Sequence, residues 1–353
     1  MLICGSSQGE YGGIEAVMLT LADYLQTNTP IRCMLALKLV RGATLSNTLR
    51  GFLEQNPVQY AVVGKLDRKL LKLILWADVI HTQNVPPDIV FLAKLLGKPI
   101  ISTTHNYRSS RFSPHNLLWK LGNLLCDSVT FNSRFVSKTW KTAPSYNRRF
   151  RVIPTVSHLP KFQETSSPRS GFVFIARWIP NKGADLLIKA YEKADINKEQ
   201  WPLIMMGDGP LRNELEQVVR ERSIQGITIL GRVTESDKFN RIASAKWIVV
   251  PPNTREDMGL TPIEGRALGT PAIASLDGGI PESAGDQAIF FPAGDVDALT
   301  ASLESVAHMP EVEYYSRATL TRTSLADYLQ PQSVYVDLYR EHLGSGLITD
   351  PVV

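Results

Sequence analysis

The chain has 353 residues, of which 44% are hydrophobic and 20% are charged, and its formal net charge is +4. This balance is typical of a folded globular protein and excludes a disordered, collagen-like or disulfide-scaffold chain. The length exceeds that of one typical domain, so we expect two domains.

The charge is divided unevenly along the chain. Residues 1–160 contain 19 Lys and Arg against 8 Asp and Glu, a net charge of +11, whereas the remainder contains 19 against 26, a net charge of −7. This asymmetry predicts that the first half meets an anionic partner, which is a nucleic acid, an anionic membrane or a phosphate-bearing substrate. An ordinary solvated basic surface is the alternative interpretation.

Several features indicate a cytoplasmic protein. Residues 1–4 run at once into a Gly/Ser turn without a basic segment or a long apolar core, so no signal peptide is expected. Apolar stretches such as residues 70–80 contain a lysine or are too short to cross a bilayer, so no transmembrane helix is expected. The cysteines Cys4, Cys33 and Cys126 form no metal pattern and are typical of small buried thiols in a reducing compartment.

Short β-rich runs alternate with amphipathic stretches over the first half of the chain. The predicted strands cover residues 2–4, 32–37, 59–63, 78–82, 99–103, 128–132 and 151–153. The predicted helices between them cover residues 14–26, 43–54, 68–76, 87–96, 114–126 and 134–142. This alternation predicts a parallel sheet covered by helices on both faces.

Residues 154–171 have the composition of a linker, and the alternation resumes after them. The predicted strands are 172–176, 203–206, 227–230, 247–250, 272–275 and 288–291, and the predicted helices are 183–193, 210–222, 235–244, 261–268, 295–307 and 332–343. The fold class is therefore α/β with two doubly wound Rossmann-like domains. We expect them at residues 1–160 and 161–330, with a C-terminal helix in 331–353 that is available to pack back on the first domain.

Ligands of doubly wound folds bind at the carboxyl ends of the strands, so the ligand-binding residues are expected there. In the first domain, Gly12 and Gly13 lie between the first strand and the first helix. Glycines at this position let backbone N–H groups approach a phosphate, and the helix dipole favours an anion. A simple tight turn is the alternative.

His105 follows the strand at 99–103 in a Thr-Thr-His-Asn run. A histidine there can orient a sugar hydroxyl or shuttle a proton, and a surface-loop histidine is the alternative. Asn106, Arg108 and Arg111 follow it, where they could meet an anionic acceptor.

In the second domain, Arg177 and Lys182 lie immediately after a strand and at the start of a helix. Two cations and a helix N-terminus in one loop are typical of a diphosphate site. Gly207 lies in the Met-Gly-Asp-Gly-Pro run at 206–210, directly after the next predicted strand. This run is typical of a turn and a helix start, and it is a weaker indication of a ligand contact.

Two glutamates separated by seven residues, Glu256 and Glu264, flank Gly259 and a predicted helix start. Glu264 has a structural explanation, because Thr261-Pro-Ile-Glu matches a capping box with proline at the first helical position. Glu256 has no such explanation, because it precedes the turn. Another glycine-rich loop, at residues 278–282, follows the next strand.

Asp295-Val-Asp297 spells a D-x-D motif, which in other proteins holds a metal and a nucleotide. An amphipathic helix follows it here, so helix N-capping explains it. The sequence has no Ser-His-Asp pattern, zinc motif or nucleic-acid motif. We therefore expect no metal, no cofactor and no nucleic-acid partner.

Five segments, taken in order, resemble the retaining glycosyltransferases of family 4, which have the two-domain GT-B fold. They are Arg177-x4-Lys182-Gly, Gly207-Asp-Gly-Pro210, Leu230-Gly-Arg-Val, Glu256-x7-Glu264 and Gly278-Gly-x-Pro-Glu282. The resemblance implies two domains that face a central cleft and a nucleotide-sugar donor as co-substrate.

The resemblance also implies roles for individual residues. Arg177 and Lys182 match the pair that neutralises the donor diphosphate, and Glu264 matches the glutamate that hydrogen-bonds the nucleotide ribose. Glu256 matches the glutamate near the donor sugar, and His105 matches the acceptor-side histidine. The remaining implied donor contacts are Gly12, Gly13, Gly207, Arg232, Val233, Met258, Gly259 and Leu260.

Two segments depart from the family pattern. The common Asn-Gly-x-Asp run is replaced by Pro154-Thr-Val-Ser-His158, in the predicted linker. The common Glu-Ala-Met-Ala run is Glu264-Gly-Arg-Ala267, which places Arg266 close to the implied donor site.

From the resemblance we expect a retaining glycosyltransferase that moves a hexose from a nucleotide sugar, with UDP as the expected carrier, to a glycan or lipid-linked acceptor. A nucleotide-sugar epimerase of the same fold and a non-catalytic sugar-nucleotide-binding module are the alternatives. The basic first half adds an expected peripheral contact with an anionic membrane, at its inner face.

Overall fold

The computed structural model describes residues 1–56, 58–65, 67–108, 113–140, 149–162 and 168–343. The chain divides into two compact units. The first comprises Met1–His158 together with Leu329–Val353, and the second comprises Leu159–Tyr328.

The first unit is built on a seven-stranded parallel sheet in the order β3-β2-β1-β4-β5-β6-β7. Its strands are β1 (Leu2–Ser7), β2 (Met34–Leu39), β3 (Tyr60–Val63), β4 (Ile80–Gln83), β5 (Ile100–Thr104), β6 (Ser128–Phe131) and β7 (Phe150–Val152). Its intervening helices are α1 (Gly13–Asn28), α2 (Asn47–Gln55), α3 (Arg68–Trp76), α4 (Pro87–Leu95), α5 (Pro114–Leu125) and α6 (Arg134–Trp140).

The burial of the central strands agrees with a parallel sheet that is covered by helices on both faces. Strands β4, β5 and β6 are buried along their full length, as central strands with helices on both faces must be. Leu25 of α1 and Leu49 of α2 pack into one core cluster. Leu70 of α3, Ile89 of α4 and Trp119 of α5 pack into or against a different cluster. Helices α3, α4 and α5 therefore lie in one layer.

The second unit is built on a six-stranded parallel sheet in the order β10-β9-β8-β11-β12-β13. Its strands are β8 (Phe172–Ile175), β9 (Leu203–Met206), β10 (Ile227–Gly231), β11 (Trp247–Val250), β12 (Ala272–Ser275) and β13 (Ile289–Phe291). Its helices are α7 (Ala184–Lys193), α8 (Arg212–Glu221), α9 (Glu235–Ser244), α10 (Leu260–Ala267), α11 (Ile280–Ala284), α12 (Val296–Ala307), α13 (Glu311–Thr323) and α14 (Leu325–Tyr328).

The chain then returns to the first unit. Helix α15 (Ser333–Arg340) buries Tyr335, Val336, Leu338 and Tyr339 in the core cluster that α1 and α2 also cover. The far end of the chain therefore completes the core of the unit in which the chain begins.

Each sheet has a point where the strand order reverses, between β1 and β4 in the first unit and between β8 and β11 in the second. Loops that leave such a point diverge to opposite faces of the sheet and leave room for a ligand. In the second unit the loop after β8 carries Arg177 and Lys182, and the loop after β11 carries Glu256. The fold therefore places the predicted cations and one predicted glutamate at the switch point.

All thirteen predicted strands are present, with ends that agree to within three residues. Helices α11, α13 and α14 were not predicted. Helix α13 explains why, because only Tyr314 and Thr321 of its 13 residues are buried, and it therefore lacks an apolar stripe at helical spacing.

Candidate functional site

The loop after β8 is anchored by a buried indole. Trp178 is fully buried, its Nε1 donates to the Met206 carbonyl at 3.2 Å, and its backbone N–H donates to the Asp208 carbonyl at 2.9 Å. Gly207 lies between those two acceptors with a φ of 120°, and a Cβ there would lie 1.8 Å from the Ala176 carbonyl oxygen. Gly207 thus lets two neighbouring loops approach closely, and Arg177 remains exposed beside them.

The same loop ends in a short 3₁₀ turn that carries Lys182. Gly183 follows with a φ of 73°, and a Cβ there would lie 1.9 Å from the Pro251 carbonyl oxygen, so the turn packs directly on the end of β11. This packing brings Lys182 to the loop after β11. Its Nζ donates to Glu256 Oε1 at 2.6 Å, with the two side chains 29% and 20% exposed.

The backbone around Glu256 is held by the glycine-rich loop after β12. Gly279 N–H donates to the Glu256 carbonyl at 2.8 Å, and a Cβ on Gly278 would lie 2.5 Å from that same oxygen. The Ser283 hydroxyl on α11 donates to the Met258 carbonyl. The glycine-rich loop after β12 and helix α11 therefore hold the backbone at Glu256 and Met258, two of the residues implied to lie at the donor sugar.

Helix α10 begins earlier than the sequence predicted. Its N-cap is Gly259, with a φ of 84° and a ψ of 99°, and its first residue is Leu260. Thr261 is the second residue of the helix and not its N-cap, so the predicted capping box with Glu264 is wrong. The physical reason is the tight turn at Gly259, where a Cβ would lie 2.5 Å from Ile280 Cδ1.

Glu264 instead contacts a lysine on another helix. Lys238 of α9 donates from Nζ to Glu264 Oε1 at 2.7 Å, and the two side chains are 20% and 17% exposed. The same ammonium lies 4.3 Å from the centre of the Phe239 ring. Sequence reasoning missed Lys238, because nothing in local spacing links α9 to a glutamate 26 residues later.

Two of the implied donor contacts, Arg232 and Val233, directly follow β10, which ends at Gly231. Gly231 has a φ of 70°, and the Arg212 guanidinium lies so close that a Cβ on Gly231 would be 2.6 Å from Nη1. Arg232 is exposed, and Val233 is half-buried against the core. Arg212, which sequence reasoning also missed, donates from Nε to Glu216 at 2.7 Å.

Arg266 does not face these loops. It is 3% exposed, and its guanidinium donates to the carbonyls of Ser283 at 3.2 Å and Ser324 at 2.8 Å. It also lies 5.4 Å from the centre of the Tyr328 ring, and burial lowers the pKa of Arg266. This departure from the family pattern therefore ties α10 to α11 and to the chain after α13.

In the first unit, His105 directly follows β5 and is half-buried. Its Nε2 lies 2.7 Å from Gln83 Oε1, and its backbone N–H donates to Asn84 Oδ1 at 3.0 Å. Asn84 has a φ of 57°, a conformation that asparagine tolerates better than most residues. Burial lowers the pKa of His105 to about 4, so its imidazole is neutral at physiological pH.

The N-terminal end of α1 contains two glycines and a buried carboxylate. Gly12 is the N-cap and Gly13 is the first residue of the helix. Glu15 in the first turn is 8% exposed and accepts a hydrogen bond from the Ser7 hydroxyl at 2.7 Å. A Cβ on Gly12 would lie 3.2 Å from the Glu15 carboxylate, so this carboxylate already complements the positive end of the helix dipole.

The remaining candidates have simpler outcomes. The prediction that Asp295 is a helix N-cap is confirmed, because its side chain accepts from the Ala298 N–H at 2.9 Å. Asn106 and Arg108 follow His105, and Arg108 N–H donates to the Thr139 hydroxyl at 2.9 Å. Arg111 lies outside the described residues. Across the described ranges, no group of three or more His, Cys, Asp or Glu is placed to hold a metal ion, and every helix is too short or too polar to span a membrane.

Two family models match the chain. Residues 11–156 match Glycosyltransferase Family 4, and residues 160–319 match Glycosyl transferases group 1.

Named relatives of the chain include two bacterial mannosyltransferases. The GDP-mannose-dependent monoacylated alpha-(1-6)-phosphatidylinositol monomannoside mannosyltransferase of Corynebacterium glutamicum is 26% identical over 58% of this chain and 59% of its own length. The chain thus spans less than two thirds of that relative. The GDP-mannose:cellobiosyl-diphosphopolyprenol alpha-mannosyltransferase of Xanthomonas oryzae is 24% identical over 80% of this chain and 79% of its own length.

Among solved structures, Anabaena Alr3699/HepE in complex with UDP is similar with a TM-score of 0.76 and 18% identity. The match covers 98% of this chain and 99% of that one. At this level of identity the similarity concerns the fold.

Proposed function

Because the chain belongs to the family 4 glycosyltransferases and has their GT-B fold, we propose that it is a retaining hexosyltransferase that uses a nucleotide-sugar donor. The proposed acceptor is a lipid-linked glycan or a glycolipid, the class named for the relatives from Corynebacterium and Xanthomonas. UDP is the carrier expected from the sequence, and it is the ligand of the Anabaena structure. GDP is the second candidate, because both named relatives use GDP-mannose.

One observation carries the proposal: Lys182 pairs with Glu256 where the strand order of the second sheet reverses, and Arg177 lies exposed on the same loop as Lys182. A departing nucleoside diphosphate carries about two negative charges, which fixed cations stabilise as the bond to the sugar breaks. Within the described part of the chain, no carboxylate forms an ion pair with Arg177, so its charge is available to a phosphate. Lys182 would share its ammonium between Glu256 and the diphosphate.

This arrangement suits retention of configuration without a metal ion. The leaving phosphate can accept the proton of the acceptor hydroxyl on the same face of the sugar, so no carboxylate base is required. We propose that Glu256 orients Lys182 and the donor sugar, and that Glu264 accepts hydrogen bonds from the ribose. The backbone of Met258–Leu260 would contact sugar hydroxyls and phosphate.

Nucleotide binding tests the donor site. Isothermal titration with UDP, GDP, UDP-glucose and GDP-mannose should detect binding to the parent protein, and a ligand at 100 times its dissociation constant should stabilise it by about 2.7 kcal/mol. Arg177→Ala should weaken diphosphate binding roughly 10- to 150-fold, the effect of one lost charge-assisted hydrogen bond. Arg220→Ala is the matched control, because Arg220 lies on α8 of the same unit and its side chain is 69% exposed. Absence of binding by all four ligands would contradict the proposal.

Turnover separates the proposal from its alternatives. A transferase should release UDP or GDP faster when phosphatidylinositol or a polyprenyl-diphosphate glycan is added, whereas an epimerase should release it without any acceptor. A non-catalytic module should bind nucleotide sugar and release nothing. Glu256→Gln should abolish turnover in the transferase while leaving nucleotide binding measurable.

We also propose that the first unit docks on an anionic membrane through the outer face of α5. Leu117, Leu121 and Leu124 recur at helical spacing on this helix, and they are 47%, 42% and 48% exposed together with Leu118 at 43%. Helix α4 packs beside α5 and exposes 83% of Leu95. An anionic membrane has charged headgroups over an apolar interior. The exposed leucines suit the apolar interior, and the net charge of +11 on residues 1–160 suits the anionic headgroups.

Vesicle co-sedimentation tests this contact. Binding should increase when phosphatidylglycerol is added to phosphatidylcholine and fall with salt, since exposed charges are screened within about 8–10 Å. Leu118→Ser combined with Leu121→Ser should reduce binding. The matched control is Val312→Ser with Leu320→Ser, two residues that are 84% and 47% exposed on α13 of the second unit. Equal binding by both double variants would contradict docking through α5.

A further inference from the structure

A series of hydrogen-bonded polar side chains crosses the interior of the first unit. It runs from α15, here called the tail helix, to His105. Tyr339 Oη lies 2.7 Å from His81 Nδ1, and His81 Nε2 lies 3.4 Å from Gln83 Nε2. Gln83 Oε1 in turn lies 2.7 Å from His105 Nε2. Tyr339, His81 and Gln83 are each at most 1% exposed, so these contacts form without competition from water.

The side-chain amide of Gln83 sets the direction of donation in this series of hydrogen bonds. Its oxygen can only accept and its nitrogen can only donate, so the proton between it and His105 belongs to His105 Nε2. The Gln83 amide nitrogen lies 3.4 Å from His81 Nε2 and can only donate, so this contact favours an unprotonated His81 Nε2. The Thr103 hydroxyl, 2.7 Å from the same nitrogen, can donate to it as well. In that tautomer His81 carries its proton on Nδ1 and donates it to Tyr339 Oη, 2.7 Å away.

Burial favours the neutral imidazole at both histidines of this hydrogen-bonded series. Burial lowers the pKa of His81 to about 3 and that of His105 to about 4. A neutral His105 with its proton on Nε2 has an unprotonated Nδ1. Within the described residues no side chain is hydrogen-bonded to that Nδ1.

We infer that Gln83 is a positioning residue, held from behind by His81 and by Tyr339 of the tail helix. It fixes His105 as the tautomer whose Nδ1 accepts a hydrogen bond from a hydroxyl of the acceptor substrate. The role of the acceptor rests on the proposed function, whereas the tautomer is a property of the protein alone. Through this series the tail helix influences His105, more than 200 residues earlier in the sequence. Tyr339 and His81, its first two members, are 258 positions apart.

Imidazole ¹⁵N–¹H correlation spectra of histidine-labelled protein test the inference without any substrate. The chain has 6 histidines, and the His105 signals are assigned by their loss in His105→Gln. The parent protein should show His105 protonated on Nε2 at neutral pH. Gln83→Leu should lower the ratio of the Nε2–H to the Nδ1–H tautomer roughly 2- to 13-fold, the value of one hydrogen bond converted to a population ratio.

Tyr339→Phe removes only the terminal hydroxyl and keeps the protein testable if Gln83→Leu does not fold. It should shift the His81 tautomer ratio in the same range and the His105 ratio less. Tyr335→Phe is the matched control on the same helix. Its hydroxyl lies 3.3 Å from Thr103 and makes no direct hydrogen bond to His81, so this variant should change the His81 ratio less than Tyr339→Phe does. A parent His105 protonated on Nδ1, or a His105 ratio unchanged in Gln83→Leu, would overturn the inference. Either result would leave the nucleotide-binding test of the proposed function untouched.

Discussion

Each glutamate of the second unit's candidate site is held by a lysine from a different element. Lys182 of the β8 loop binds Glu256, and Lys238 of α9 binds Glu264. The four side chains are between 17% and 29% exposed, so these ion pairs are less screened than pairs on the open surface. Replacing either glutamate therefore removes an acceptor and also leaves a lysine without its closest partner.

Glu264→Gln tests the ribose role. The amide offers one acceptor oxygen in place of two, and bonds to a carboxylate are about twice as strong as neutral ones, so UDP or GDP binding should weaken by about 1–3 kcal/mol, roughly 5- to 150-fold. Because the ion pair to Lys238 is lost too, the melting temperature should also fall. Calorimetric titration and thermal unfolding measure the two effects.

Lys238→Met is the matched control for that variant, since it breaks the same ion pair and leaves the Glu264 carboxylate in place. It should lower the melting temperature to a similar extent with a smaller loss of nucleotide affinity. Equal losses of affinity in both variants would mean that Glu264 only maintains α10.

His81 makes the first unit sensitive to acid. Its pKa is lowered to about 3 by burial, whereas in the unfolded chain it returns to about 6.5. The unfolded state therefore binds the proton first, and stability is complete above pH 6.5 and declines as pH falls toward 3. His81→Gln removes this titration and keeps a donor and an acceptor at the position.

Urea unfolding at two pH values measures the contribution of His81. Between pH 7.5 and 5.0 the parent should lose about 2 kcal/mol more than His81→Gln, because the unfolded histidine is protonated by then and the folded one is not. Equal losses in the two proteins would place the folded pKa of His81 near its ordinary value.

At the scale of elements, glycines decide how closely the loops of the second unit approach one another. Gly183, Gly207, Gly259 and Gly278 all have positive φ, and a Cβ at any of them would lie 2.5 Å or less from a neighbouring atom. Three of those atoms are backbone carbonyl oxygens, and the fourth is Ile280 Cδ1 beside Gly259. The loops are thus packed backbone to backbone, which fixes the cations and carboxylates that they carry.

Gly259→Ala should destabilise the protein by about 1–3 kcal/mol, because alanine is strained at this φ and its Cβ overlaps Ile280. Gly51→Ala makes the same chemical change in the middle of α2, where nothing lies within 4 Å of the added atom. It should stabilise the protein by about 0.5–1 kcal/mol. Thermal unfolding compares them, and similar shifts for both variants would contradict the strained turn at Gly259.

At the scale of the whole molecule, the first unit is assembled from both ends of the chain. Helix α15 contributes Leu338, which is fully buried, to the core that α1 and α2 cover. The ion pair of Arg151 with Glu341, at 2.8 Å, joins the tail to the end of the sheet. This unit therefore reaches its full stability only after the last helix has been made.

Leu338→Ala should destabilise the first unit by about 2–5 kcal/mol, the usual cost of a cavity in a packed core. Leu95→Ala is the matched control, because Leu95 is also on a helix of this unit and is 83% exposed. It should change stability by less than about 0.5 kcal/mol. Urea unfolding measures both, and a small effect of Leu338→Ala would show that the tail adds little to the core.

The sequence by itself determined the strands, their parallel arrangement and the loops that carry the site. Each of these rests on short-range information: β-rich runs, helical periodicity, and glycines or charges placed just after a strand. The sequence also identified Arg177, Lys182 and Glu256 as candidate site residues, because loops after neighbouring parallel strands meet at one edge of a sheet. The N-cap role of Asp295 could be predicted for the same reason, since a cap bonds to a residue three positions away.

The tertiary structure alone decided which side chains hold these residues in place. Thr261 has the local pattern of an N-cap, but the packing of Gly259 on Ile280 starts the helix earlier. The partner of Glu264 lies 26 positions away, and that of His81 lies 258 positions away. Such contacts depend on where whole elements pack, and one sequence contains no local pattern that records a neighbour brought close only by folding.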